Sequence, residues 1–205
     1  IDALSNMNDD VNKYSKFGIA HGFLGELWTK FRIYARLNDI SKCYDVYEET
    51  LKNLSLDIEL DNGWCSGRAG LLMILVEMAA FLGINRDFFS VAKKCTNLSN
   101  DNPVDLSICH GTSGIIQSFV FCYIVSNDNR YLQLAEEYIC KIYSNANKNG
   151  FYTGERNREY ILGYILGWSG IIDSILILRL AQKGNKPWIP INLSSYEYQK
   201  KLQRR

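Results

Sequence analysis

Charge of one sign is missing from this 205-residue chain: 23 Lys and Arg face 22 Asp and Glu, for a formal net charge of +1. The balance argues against a dedicated nucleic-acid binder, which would show a basic face. Long hydrophobic runs are missing as well. Stretches such as Gly70–Leu75 and Ile171–Leu178 stop well short of the ~20 apolar residues of a membrane-spanning helix. No signal peptide opens the sequence, and six irregularly spaced cysteines do not make a disulfide framework. A reducing cytoplasm is therefore the expected compartment. Proline is limited to three residues and strand-like alternation is scarce, so the chain reads as all-α. What is abundant is core-forming material: 47% hydrophobic residues against 22% charged, which excludes wholesale disorder.

A repeat is present. Ala20-His21-Gly22-Phe23-Leu24-Gly25, Cys65-Ser66-Gly67-Arg68-Ala69-Gly70, His110-Gly111-Thr112-Ser113-Gly114 and Leu166-Gly167-Trp168-Ser169-Gly170 each hold a Gly-x-x-Gly step. The first three recur about every 45 residues, and a longer step precedes the fourth. After each second glycine the sequence predicts an apolar helix, over Glu26–Leu37, Leu71–Leu82, Ile115–Val125 and Ile171–Leu180. Between them, Ser41–Leu54, Arg86–Leu98 and Arg130–Tyr143 space their apolar residues on one helical face. Inner and outer helices thus alternate, as in a helical solenoid or an α/α toroid. The repeats span about 17–182; Asn147–Arg158 reads as an extra loop, with Arg156 and Arg158 as solvated charges. The tail over 183–205 reads as a surface segment.

Both histidines, His21 and His110, stand immediately before a first repeat glycine. Cys109 precedes His110, and Cys65 stands two residues before Gly67. If the repeats pack side by side, these groups converge at one end. Two Cys and a His can form a three-ligand zinc site with its fourth position open. Adjacent residues on a helix point about 100° apart, so Cys109 and His110 can share an ion only if the chain turns there. The competing reading is structural: buried free cysteines and a capping or core histidine. That is the expected role of Cys43, Cys95, Cys122 and Cys140. Trp64 and Trp168, beside repeat glycines, could line a peptide-binding opening.

Gly18-Ile19-Ala20-His21-Gly22, Gly63-Trp64-Cys65-Ser66-Gly67 and Ser107-Ile108-Cys109-His110-Gly111 resemble, in order, the Ala-His-Gly, Trp-Cys-x-Gly and Cys-His-Gly motifs of lanthionine synthetase C-like cyclases. The resemblance runs from about Phe17 to Pro190. It implies an α/α toroid in which Cys65, Cys109 and His110 bind zinc and His21 takes part in proton transfer. It also implies a dehydrated precursor peptide as substrate, delivered by a dehydratase domain or enzyme. The reaction would be addition of a cysteine thiol to dehydroalanine or dehydrobutyrine, forming lanthionine or methyllanthionine. Ser66 departs from the pattern, since many members carry an aromatic residue or His there.

A complete cyclase ring has more helix pairs, so residues 1–205 are expected to be the C-terminal portion of such a domain. An open arc of this kind is expected to leave apolar faces at its ends. Two other functions remain open: addition of glutathione to dehydrated residues at the same site, and a non-catalytic helical scaffold that binds peptides. An α/α-toroid glycosidase is disfavoured because no carboxylate pair falls in the repeat frame.

Overall fold

In the computed structural model, the described residues are 17–20, 22–52, 60–96, 104–150, 152–153 and 161–203. Among these described residues eight α-helices follow one another: α1 (Phe23–Arg36), α2 (Ile40–Lys52), α3 (Arg68–Leu82), α4 (Phe89–Lys94), α5 (Thr112–Ser126), α6 (Asn129–Asn149), α7 (Trp168–Gln182) and α8 (Tyr196–Leu202). A 3-10 turn at Pro190–Asn192 precedes α8. Among the described residues the one β pairing is an isolated parallel bridge between Asp105 and Tyr152. The chain is all-α, as the sequence predicts.

Helices α1, α3, α5 and α7 form the inner set, with α5 packed between α3 and α7. Helices α3 and α5 are buried around most of their circumference and largely apolar, because neighbours cover them on several sides. Helices α2 and α6 lie outside, each burying one stripe, such as Val46, Tyr47 and Leu51 on α2 and Tyr131, Tyr138 and Ile142 on α6. The third outer helix is shorter than expected. Asp87 Oδ1 accepts the Phe89 N–H at 2.8 Å, which delays helix entry until Phe89, and α4 ends at Lys94.

Each inner helix begins about one turn earlier than the apolar pattern suggests. The first glycine of every repeat is the N-cap in extended conformation, and the second lies inside the first turn. A Cβ on Gly70 would overlap the Trp64 carbonyl, and one on Gly114 the Ile108 carbonyl. The preceding loop therefore folds back onto the helix start, and only a residue without a side chain leaves room for it.

Two expectations about loops are corrected. The segment from Asn147 is not loop at its start: α6 continues to Asn149 and stops at Gly150, whose φ of +88° suits glycine. The rest of that stretch, with Arg156 and Arg158, lies outside the described residues. Nor is the tail a loose surface segment. Ile189 and Ile191 are buried, and the Gln199 amide both donates to the Ile189 carbonyl and accepts its N–H, each at 2.9 Å. Asn192 Nδ2 donates to Glu77 on α3 at 2.6 Å, and Tyr198 Oη donates to the same carboxylate at 3.1 Å. The tail straps α1 and α3 together. On α7, Ile172, Leu176 and Leu180 face solvent, with Leu162 in the loop before it.

Candidate metal centre

The loops that enter the inner helices gather at one end because their main chains are hydrogen-bonded to one another. Ala20 N–H donates to the Cys65 carbonyl, Cys65 N–H to that of Cys109, and Cys109 N–H to that of Ile165, each at 3.1 Å. These four residues hold the same place in successive repeats, two before the first glycine. Every loop is also tied to its own helix: Arg68, Thr112 and Trp168 donate their N–H groups to the Asp61, Asp105 and Ile161 carbonyls at 2.9 Å. Backbone pairing, rather than side-chain packing, sets the positions of the candidate ligands.

Two of the four loops carry them. One donor atom each from Cys65, Cys109 and His110 lie within 4.8 Å of one another. Residues 107–111 form a bend ahead of α5, so the turn that lets adjacent Cys109 and His110 serve one ion is present. Cys65 is buried, Cys109 partly so, and the His110 side chain is 56% exposed. The cluster thus has a dry thiol side and an open imidazole side.

The two thiols share a proton unequally. The hydrogen bond from Cys109, helped by the nearby His110, lowers Cys65 to about 6 against the opposing effect of burial. The same hydrogen bond, with burial and the nearby Cys65 charge, raises Cys109 far above an ordinary thiol. Two sulfurs and an imidazole nitrogen are a borderline-soft donor set, and the cluster can hold a metal ion.

Ser66, beside Cys65, has its Oγ 3.7 Å from the Cys65 sulfur and donates to Asp61 Oδ2. Asp105 Oδ2 stands 4.0 Å from His110 Nδ1. Asp61 and Asp105 occupy the same frame position, six residues before Gly67 and Gly111. The expectation that no carboxylate pair falls in the repeat frame is therefore corrected. Their Oδ1 atoms accept the Gly63 and Ser107 N–H groups at 2.8 and 2.7 Å, so both carboxylates belong to the loops. The recurring Asp was a visible signal, but its offset from the cysteines hid it.

His21 lies outside the described residues. Trp64 does not line an opening: it is buried against the α5 start, beneath Gly114. Trp168 is half-buried against the core. Cys43, Cys95 and Cys122 are buried, as expected for structural cysteines, and burial raises Cys43 to about 11 and Cys95 to about 12. Cys140 is instead exposed on α6, because its position falls on that helix's solvent face. No helix among the described residues is long and apolar enough to cross a membrane.

The model of a family described as lanthionine synthetase C-like protein matches residues 3–191. No curated protein matches the chain.

Proposed function

The chain belongs to the lanthionine synthetase C-like family, and from that premise we propose that it is the C-terminal portion of a zinc-dependent lanthipeptide cyclase. The observation that carries this reading is the convergence of Cys65, Cys109 and His110 from two hydrogen-bonded loops. The substrate is a dehydrated precursor peptide supplied by a dehydratase in the cytoplasm. A peptide cysteine sulfur bonds to the β-carbon of dehydroalanine or dehydrobutyrine, the double-bond electrons move toward the α-carbon, and a proton arrives there. The product is a lanthionine or methyllanthionine thioether.

Zinc, when bound, would supply a Lewis-acid position at which a substrate thiol gives up its proton near neutral pH. Cys65 and Cys109, as thiolates, offset the charge of the dication, which leaves a third sulfur nucleophilic. His110 completes the donor set from the exposed side, where a peptide can approach. His21 precedes Gly22 as His110 precedes Gly111, and we assign it the proton delivered to the α-carbon, work suited to imidazole at physiological pH.

Metal analysis and turnover test the assignment. The chain should hold one zinc, and Cys109→Ala should lose it; full retention means the ligand set is wrong. In the protein that carries this chain, His21→Asn should keep zinc and slow cyclisation by about 10²–10⁴-fold. Unchanged turnover removes His21 from the reaction. A dehydrated, cysteine-containing peptide offered with and without glutathione separates ring closure, which consumes the peptide thiol without changing the mass, from glutathione addition.

A further inference from the structure

We infer that Asp105 is a positioning residue for the metal centre, orienting His110 through Nδ1 so that Nε2 is the ring nitrogen offered to the ion. The inference rests on the zinc reading above and concerns a residue outside its ligand set. The carboxylate is divided between two tasks. Oδ1 accepts the Ser107 N–H at 2.7 Å and shapes the bend that carries Cys109 and His110. Oδ2 is left facing Nδ1 of His110 at 4.0 Å. The carboxylate lies where a Cβ on Gly111 would sit, so the repeat glycine makes room for it.

The preceding loop shows the same arrangement. Asp61 Oδ1 accepts the Gly63 N–H at 2.8 Å, and Oδ2 accepts the hydroxyl proton of Ser66. In both loops the second oxygen addresses the residue just before the repeat glycine. The two loops with ligands have this carboxylate. The fourth loop, which has no ligand, places Ile161 and Leu166 at the corresponding positions. An imidazole that is more than half exposed has little packing to hold its orientation. A carboxylate on Nδ1 supplies that hold and fixes the tautomer.

Asp105→Asn tests this cleanly, because the amide oxygen can still accept the Ser107 N–H while the group facing Nδ1 loses its charge. Asp105→Ser, which also keeps a turn-forming acceptor, serves if the first variant does not fold. Zinc affinity of the metal-free 205-residue chain would be measured by competition with a chromophoric chelator, with thermal unfolding as the control. Asp105→Asn should bind zinc about 10–100-fold more weakly with unchanged unfolding. Nitrogen-15 spectra of the zinc-loaded wild type should show Nδ1 protonated and Nε2 on the metal. Asp61→Asn removes the same charge one repeat away, where the partner is Ser66, and should weaken binding much less. Wild-type affinity in Asp105→Asn, equal losses in both variants, or metal on Nδ1 would each overturn the inference. A wild-type chain that takes up no zinc would instead refute the metal centre itself.

Discussion

Glu77 is the residue whose replacement should damage the fold most for the smallest change in shape. It is fully buried on α3, and five donors converge on it. Oε1 accepts Arg32 Nε at 2.9 Å and Tyr198 Oη at 3.1 Å; Oε2 accepts Arg32 Nη2 at 2.9 Å, Trp28 Nε1 at 3.0 Å and Asn192 Nδ2 at 2.6 Å. Glu77→Gln keeps the volume but must turn an amide NH₂ toward one of these groups. The better orientation places it at Oε1, where the Tyr198 hydroxyl can rotate to accept and only Arg32 Nε is opposed. Breaking a buried ion pair from one side costs about 3–5 kcal/mol, and a charge-assisted hydrogen bond alone contributes about 1.5–3 kcal/mol. Since Arg32 keeps the Asn192 carbonyl at 2.6 Å, the lower end applies, about 3 kcal/mol. For a chain of this length that is a fall in Tm of roughly 6–12 °C, readable by circular dichroism. Zinc uptake should not change, as Glu77 lies about 15 Å along α3 from its N-cap. A loss below about 1 kcal/mol in Glu77→Gln, the scale of an ordinary hydrogen bond, would falsify the view that this carboxylate bolts the tail to the inner helices.

Three further outcomes are expected. Gly114→Ala gains about 1 kcal/mol of helix propensity but drives a Cβ into the Ile108 carbonyl and Trp64; a net loss of about 1–2 kcal/mol should appear in denaturant titration, and a neutral result would mean the loop yields freely. Because Ile108 adjoins Cys109, the same variant should also bind zinc more weakly, and wild-type affinity would show that the ligand loop is set independently of the helix start. Cys65 is lowered to about 6 while Cys109 is raised, so at pH 7–8 the pair carries one proton, which zinc must displace. Apparent zinc affinity should therefore rise close to tenfold per pH unit across that window, by chelator competition; a flat profile would mean that both thiols are already ionised.

The repeat and the grouping of Cys65, Cys109 and His110 were legible because they depend on residue types that few other roles explain: glycines at constant spacing, and a Cys-His pair before one of them. Helix starts were misplaced by a turn because glycine, normally a helix breaker, here sits inside the first turn to admit the loop carbonyl. The tail was missed for a different reason. Its basic, proline-containing composition hides two buried isoleucines, and much of its attachment runs through Asn192 and Tyr198, whose shared partner Glu77 lies 115 and 121 residues away in sequence. Trp64 reads first as core and second as a pocket wall, and the stacking of α5 on its loop decides for core.

The main-chain bonds from Ala20 to Cys65, Cys65 to Cys109 and Cys109 to Ile165 have a consequence for how such a protein can change over generations. They make no use of side chains, so the rack of loops persists whatever residue other than proline, which has no N–H to donate, fills each position. Ala20, Cys65, Cys109 and Ile165, and after them His21, Ser66, His110 and Leu166, are interchangeable settings on one frame. Coordination chemistry can then be gained, lost or moved to a neighbouring loop by single substitutions that the fold tolerates. The glycines cannot drift in this way, because a methyl group at Gly70, Gly114 or Gly170 collides with backbone. Heritable variation in this architecture is channelled toward the reactive residues and away from the geometry that presents them.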